Sequence, residues 1–177
     1  TELMTQLDTV YADVRASDPW PTTSQPSIGD FIACYGPILA KGHDIVSIHI
    51  SEGISGTAGS ARQAAEQLAR EGKGGERVHV VDSGSSAGGL GLIALAAARK
   101  ARAGGSAEEV VERARETKAD LKMWFAIDTL SYLRHSGRIG AAQAWLGSTL
   151  KIKPILTLEG EITPVERVRT SKRAFER

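Results

Sequence analysis

Two short runs of β-branched residues, each followed by a small-residue turn and a helical pattern, constrain the fold of this chain most. Residues 44–50 and 78–82 predict strands, and the apolar spacing after them predicts helices, the second over 87–104. Strands that alternate with helices of this length indicate a parallel sheet of the α/β class. We expect the second strand to be buried on both faces, because it is almost wholly apolar.

Capping signals fix where several helices begin. A helix is predicted over 2–15 from its apolar face, and another over 27–42 from the S-x-x-D pattern of Ser27 and Asp30. Ser106 and Glu109 form a second such pattern and begin a helix over 107–118.

The pattern changes after residue 105. A strand is predicted over 122–128, short helices near 129–135 and 140–148, and a hairpin from 151–158 and 161–168 around Glu159-Gly160. The expected fold is therefore α/β, with a parallel-sheet first domain over 1–105 and an α+β second domain over 106–177. Only two strands precede residue 105, so we expect the first domain to lack its N-terminal part and the second its C-terminal part.

Composition excludes several classes of function. The formal charge is +1, from 22 basic and 21 acidic residues, which favours neither nucleic acid nor an anionic membrane as partner. A single cysteine, Cys34, rules out an internal disulfide, and we expect it to be buried. The four histidines do not form a metal-ligand set, and no metal or cofactor is expected. Neither a membrane-spanning run nor a signal peptide is evident, which predicts a cytoplasmic protein.

Three segments rich in hydroxyl groups lie where strands end or helices begin. They span 22–27, 50–60 and 81–88. In an open α/β sheet ligands bind at this edge, and helix amides there attract a carboxylate or a phosphate. Simple helix capping is the favoured interpretation of Ser27, whereas capping and ligand binding are equally supported for Ser55 and Thr57.

An enzymatic alternative comes from the third segment. Residues 84–88 match the G-x-S-x-G pattern of a serine hydrolase, with Ser86 as the nucleophile. His135 is the only downstream histidine, and it follows Asp128 too closely for a typical catalytic triad. This spacing counts against a serine hydrolase, which is therefore kept only as the alternative function.

Arg138 is flanked by glycine and isoleucine in the segment 133–140. A surface arginine is usually solvated, but in this setting it could hold a fixed guanidinium toward a phosphate or a partner's carboxylate.

Taken together, these segments resemble the DegV family of fatty-acid-binding proteins. The resemblance runs from about residue 20 to the end of the chain. Its motifs are T-S-Q-P-S at 23–27, I-S-G-T at 54–57, V-D-S at 81–83, D-T-L at 128–130, G-R-I at 137–139 and K-P-I-L at 153–156.

The resemblance implies a carrier without turnover of its own, which holds a long-chain fatty acid between two domains. It implies that Thr23 and Ser55 bind the carboxylate, within a site that includes Ser24, Gly56 and Thr57. The expected partner is the catalytic subunit of an ATP-dependent fatty acid kinase, which docks at Arg138 and sends the acyl phosphate toward phospholipid synthesis. Transient contact with a membrane is compatible with this role.

The resemblance also implies features outside the given sequence and predicts the setting of several residues within it. A family-type T-D-S first strand would precede residue 1, and a late histidine loop near the carboxylate would follow residue 177. Glu52 stands where a small hydroxyl residue is common in the family, so we expect its charge to face solvent. Six apolar residues are candidates to line the acyl tail, although plain core packing is the favoured interpretation of any single one: Leu130, Leu133, Ile139, Ala142, Trp145 and Leu146.

Overall fold

The computed structural model describes residues 7–146 and 152–176. The helices are α1 Leu7–Ala16, α2 Ile28–Ala40, α3 Thr57–Arg70, α4 Ala87–Arg102, α5 Ala107–Asp120, α6 Ser131–His135 and α7 Ser171–Phe175. The strands are β1 Ile45–His49, β2 Val78–Asp82, β3 Trp124–Ala126, β4 Lys153–Glu159 and β5 Glu161–Val168. Two 3₁₀ helices, Gly75–Arg77 and Gly140–Trp145, complete the described elements.

The first sheet pairs β1 with β2 in parallel, with Ile45 opposite Val78 and His49 opposite Asp82. Alternate side chains of these strands face opposite layers of helix. Ile45, Val78 and Val80 pack against α2 and α3, while Val46, Ile48 and Val81 pack against α4 and α5. The α/β prediction is confirmed, and both carboxyl ends of the strands lie at one edge of the sheet.

Burial of β2 is lower than predicted. Only Val81 of this strand is buried, and its other residues are half-buried. The described sheet has only two strands, so β2 has a neighbouring strand along one edge and none along the other. Full burial of a strand requires a neighbour along both edges. The prediction of a fully buried strand was therefore wrong.

The second sheet is antiparallel, in the order β3-β4-β5. Its hairpin turns at Gly160, whose φ of +81° suits a residue without a Cβ, and this confirms the predicted hairpin. β3 is shorter than the predicted 122–128. The ladder stops where Ile127 donates to the carbonyl of Pro154, because proline has no N–H with which to return the bond.

Both predicted capping boxes are confirmed. Ser27 Oγ accepts from the Asp30 N–H at 3.1 Å, and Asp30 Oδ2 accepts from the Ser27 N–H at 2.8 Å. Ser106 and Glu109 repeat the arrangement at the start of α5. The helix predicted near 140–148 is a 3₁₀ helix over Gly140–Trp145 that ends in a turn at Leu146. Residues 147–148 of that prediction lie outside the described residues, as does the start of the first predicted helix.

Cys34 is exposed, so its predicted burial was wrong. α2 turns its buried face inward through Tyr35 and Leu39, and Cys34 lies off that face. The domain division at residue 105 stays a prediction. α5 shares a core cluster with α4 and β2 through Val110, Val111 and Ala114. No described helix is long and apolar enough to cross a bilayer.

Candidate functional site

The turn over residues 51–57, which follows β1, is the centre of the candidate site. Ser51 is fully buried, and its N–H donates to the Ser85 carbonyl at 2.8 Å. Its own carbonyl accepts from the N–H groups of Ile54 and Ser55, both at 3.1 Å. The turn is therefore anchored both to the end of β1 and to the segment that follows β2.

Two hydroxyls meet at the start of α3. Ser55 Oγ lies 2.8 Å from Thr57 Oγ1 and accepts from the Thr57 N–H at 3.3 Å. Gly56 is the N-cap residue and has no side chain with which to bond the helix amides. The half-buried Ser55 hydroxyl thus serves the helix end, as the capping interpretation requires, at a place where helix amides favour an anion.

The T-S-Q-P-S segment packs directly against this turn. A Cβ placed on Gly56 would lie 3.0 Å from Gln25 Nε2 and 3.1 Å from Gln25 Cδ. Thr23 and Ser24, which directly precede Gln25 in the chain, are exposed. Two of the three predicted hydroxyl segments therefore lie together, although α2 and β1 separate Gln25 from Ser55 along the chain.

The third hydroxyl segment, residues 81–88, is held by hydrogen bonds within itself and by hydrogen bonds to the turn over residues 51–57. Ser83 and Ser85 are buried, and Ser83 Oγ accepts from the Ser85 N–H at 3.1 Å. Asp82 Oδ1 accepts from the N–H of Glu52 at 3.2 Å and from that of Gly84 at 2.9 Å. Sequence reasoning missed this role of Asp82, which joins the two strand ends. An aspartate at a strand end before Ser-Gly is a signal for such a turn.

The hairpin of the second sheet touches the same turn. A Cβ on Gly53 would lie 1.2 Å from the carbonyl oxygen of Gly160, a distance at which no side chain fits. Glycine at 53 therefore permits a backbone-to-backbone contact between the two halves of the described chain. Ile54, the next residue, packs against the apolar cluster of the second sheet.

Arg138 connects the G-R-I segment to the turn. Its Nε donates to the Ile54 carbonyl at 3.1 Å, and its Nη1 donates to the Ser136 carbonyl at 2.7 Å. The side chain is half-buried, and the two bonds hold its guanidinium in one orientation. The groups that fix the guanidinium are main-chain carbonyls of this chain, and its role toward a phosphate or a partner's carboxylate stays a prediction.

Thr23 and Arg138 line one cavity of about 330 Å³, which we call the Thr23 cavity. Trp20 lies at its wall, stacked on Tyr132 with ring centres 4.8 Å apart and 4.6 Å from the ring of His135. None of its lining residues is acidic. They are Val14, Trp20, Pro21, Thr22, Thr23, Tyr132, Leu133, His135, Ser136 and Arg138.

Glu52 is exposed, as expected, and pairs with Arg62. The hydrogen bond from Arg62 lowers the pKa of the Glu52 carboxyl, with a further contribution from the charge of the guanidinium. The negative charge of Glu52 is thereby partly balanced beside the turn.

A second polar chain lies under α2. Tyr35 Oη and Ser47 Oγ are 2.6 Å apart, and Ser47 Oγ lies 2.7 Å from His49 Nε2. Burial lowers the pKa of His49, and the positive charge of Arg62 adds to the effect. Burial raises the pKa of Tyr35. Both shifts favour the neutral forms of these side chains, which suits a core hydrogen-bond chain rather than an ionised pair.

The six residues predicted to line an acyl tail lie in one apolar cluster. Leu130, Ile139 and Ala142 are buried in it, and Leu133, Trp145 and Leu146 pack against it. Leu156, Leu158 and Ile162 of the second sheet complete the buried set. Since Ile54 also packs here, the cluster begins directly beside the turn over residues 51–57.

The geometry gives the hydrolase alternative no support. Ser86 is the N-cap residue of α4 in an extended conformation, with φ of −145°, and its hydroxyl makes no hydrogen bond to a described histidine. Within residues 7–146 and 152–176, no group of three His, Cys, Asp or Glu side chains is placed to hold a metal ion.

The fold and this arrangement define a class: an α/β protein whose strand-end turns offer hydroxyls and helix amides beside an apolar cluster. A family model described as "Uncharacterised protein, DegV family" matches residues 2–177. The chain belongs to the DegV family.

Individual relatives agree with this assignment. A DegV domain-containing protein of Streptomyces coelicolor is 46% identical over 158 residues, which cover 88% of this chain and 54% of that protein. The structure of a DegV family protein from Thermus thermophilus, described by its fatty acid binding, aligns with a TM-score of 0.83 and 37% identity over 96% of this chain and 59% of that one.

DegV of Bacillus subtilis, described as a fatty acid binding protein, aligns with a TM-score of 0.75 and 37% identity, covering 88% of this chain and 54% of that one. The chain thus spans between half and three fifths of the length of these three relatives.

Proposed function

We propose that this protein binds a long-chain fatty acid, with the carboxylate at Thr23 and Ser55 and the tail along the apolar cluster of the second sheet. The observation that carries the proposal is the packing of Gln25 on Gly56, which brings the T-S-Q-P-S and S-G-T segments together. Ser24, Gly56 and Thr57 complete the head-group site. The fatty acid binding of the Thermus and Bacillus relatives supports this ligand class.

The energetics favour an acid with a long tail. Each buried methylene contributes roughly 0.8 kcal/mol, so a tail needs few polar contacts at its head. Neutral hydroxyls and helix amides bind a carboxylate without a permanent counter-charge, which allows release. The ligand is a cargo, and the chain itself catalyses no reaction in this proposal.

We further propose that the bound carboxylate is presented to an ATP-dependent fatty acid kinase, whose catalytic subunit docks near Arg138. A head group at an exposed segment is accessible to such a partner, and Thr23 and Ser24 are exposed. A cytoplasmic location is part of this proposal, because the proposed partner uses ATP and an exposed free thiol such as that of Cys34 suits a reducing compartment.

Denaturing extraction of the full-length protein, followed by mass spectrometry, tests the ligand. The expected result is a near-stoichiometric long-chain fatty acid. Replacing both Thr23 and Ser55 by alanine should lower its retention, because both proposed hydroxyl donors are lost. The matched control replaces Thr117 and Thr163, two hydroxyl residues of α5 and β5.

Retention equal in the two double variants would remove the head-group assignment. Absence of any fatty acid from the wild-type protein, together with ester hydrolysis that Ser86→Ala abolishes, would instead favour the hydrolase.

A further inference from the structure

We propose that Lys118 is a positioning residue for the bound carboxylate, acting through Asp82 on the turn over residues 51–57. The inference rests on the proposed function, in which Ser55 of this turn is a ligand of the carboxylate. Neither Lys118 nor Asp82 belongs to the proposed head-group site, so the inference adds a second set of residues on which recognition of the carboxylate depends.

One peptide group connects Asp82 to the proposed ligand Ser55. Its N–H belongs to Glu52 and donates to Asp82 Oδ1 at 3.2 Å. Its carbonyl belongs to Ser51 and accepts from the Ser55 N–H at 3.1 Å. A peptide group is planar, so the directions of its N–H and its C=O cannot be set independently. The bond to Asp82 therefore also orients the carbonyl that holds the backbone of Ser55.

Lys118 holds the Asp82 end of this connection. Its Nζ donates to the Asp82 carbonyl at 2.9 Å and lies 3.7 Å from Asp82 Oδ2. The other carboxylate oxygen, Oδ1, accepts from the N–H groups of Glu52 and Gly84. The main chain thus binds one oxygen of Asp82 while the ammonium faces the other, and together they restrict rotation of the carboxylate.

Packing of α5 places the ammonium at the end of β2. Ala114, one helical turn before Lys118 and on the same face of α5, is fully buried in the cluster that contains Val81 of β2. The stem of Lys118 crosses Gly84, where a Cβ would lie 2.8 Å from Lys118 Cε. The φ of Gly84 is +59°, which a residue without a Cβ adopts at little cost. The contact is therefore fixed by the packing of a helix on a strand.

The charge of Lys118 also suits a site for an anion. Two carboxylates flank the turn, and each faces a cation from a helix: Arg62 of α3 pairs with Glu52, and Lys118 of α5 with Asp82. The hydrogen bond from Arg62 lowers the pKa of Glu52, and the charges of Arg62 and Lys118 add to the effect. Loss of the Lys118 ammonium would leave a negative charge uncompensated beside the proposed carboxylate site.

The experiment compares palmitate with hexadecan-1-ol on the delipidated full-length protein, because the two ligands share a tail length and differ in the head group. Lys118→Met keeps an apolar stem of similar length and removes the ammonium. It should weaken palmitate binding by roughly fivefold, the effect of about one ordinary hydrogen bond, and leave hexadecanol binding unchanged. Lys118→Arg, which restores a cationic donor, should recover most of the palmitate affinity.

A double-mutant cycle tests whether Lys118 acts through Asp82. In the Asp82→Ala background, Lys118→Met should weaken palmitate binding by less than about twofold, because the residue through which it acts is gone. The matched control in the wild-type background is Lys122→Met, at the next lysine along the chain, which is exposed. It should leave both affinities unchanged.

Three results would overturn the inference while fatty acid binding stands. They are an equal loss of palmitate and hexadecanol affinity in Lys118→Met, an unchanged palmitate affinity in that variant, and a loss that is as large in the Asp82→Ala background as in the wild type. If the wild-type protein binds neither ligand, the proposed function fails and the positioning role fails with it.

Discussion

Arg138 donates from Nε to the main-chain carbonyl of Ile54 at 3.1 Å, across 84 residues of sequence. Ile54 immediately precedes the Ser55 hydroxyl that we propose as a ligand of the carboxylate. The residue that we propose as the kinase contact is therefore also a support of the turn over residues 51–57. A substitution of Arg138 is therefore expected to alter the position of the turn at Ile54, and a displacement of that turn is expected to alter the orientation of the Arg138 guanidinium.

Arg138→Ala should reduce the free energy of unfolding by about 2 kcal/mol, since two carbonyls lose a charged donor. Urea denaturation measures the change. Arg134→Ala, which removes an exposed charge from the same segment, should change stability by less than about 0.5 kcal/mol. Equal effects of the two substitutions would mean that the bonds to Ile54 and Ser136 contribute little.

Gly56→Ala should weaken fatty acid retention more than it weakens the fold. Its φ of −76° is one that alanine adopts readily, but the new methyl would lie 3.0 Å from Gln25 Nε2, so the Gln25 side chain would have to move away from the turn. Retained fatty acid per mole of protein measures the effect.

Gly59→Ala is its matched control. A Cβ there meets no atom within 4 Å, so the substitution should leave retention unchanged and stabilise α3 by about 0.5–1 kcal/mol. Unaltered retention in Gly56→Ala would contradict a functional contact between the two motifs.

Ser27→Ala separates capping from ligand binding within the T-S-Q-P-S motif. The hydroxyl caps α2 at 3.1 Å from the Asp30 N–H, so its loss should cost about 1 kcal/mol of stability and leave the bound fatty acid in place. Ser106→Ala, at the equivalent box of α5, should cost a similar amount. Release of the ligand in Ser27→Ala alone would assign Ser27 to the head-group site.

The pH dependence of stability should include a contribution from His49. Burial lowers the pKa of its imidazole, so the unfolded chain binds the proton more strongly than the folded chain does. The contribution is fully present above about pH 6.5, the ordinary value of histidine, and is lost progressively as the pH falls toward the lowered value.

His49→Gln should flatten this dependence, because glutamine can keep the bond to Ser47 without titrating. Melting temperatures measured between pH 7 and 5 test the prediction. A variant that loses as much stability over this range as the wild type would show that other groups carry the dependence.

Local patterns were sufficient for the elements and most of their boundaries. The capping boxes at Ser27 and Ser106 each depend on two residues three positions apart, and both are observed. The hairpin at Gly160 likewise follows from a turn residue between two β-rich runs. The two burial errors have another origin: the exposure of Cys34 and of most of β2 depends on which neighbours pack beside them, and no local pattern specifies that.

The sequence by itself thus determined the α/β class, the helix starts, the candidate hydroxyls and the family. Tertiary structure decided how the candidates meet. Gln25 packs on Gly56, Gly53 abuts Gly160, and Arg138 bonds to Ile54. Each of these contacts joins residues that are distant in sequence, and its geometry depends on the packing of whole elements. Periodicity and spacing report the path of the chain over a few turns, whereas a binding site is formed where separate parts of that path come within hydrogen-bond distance.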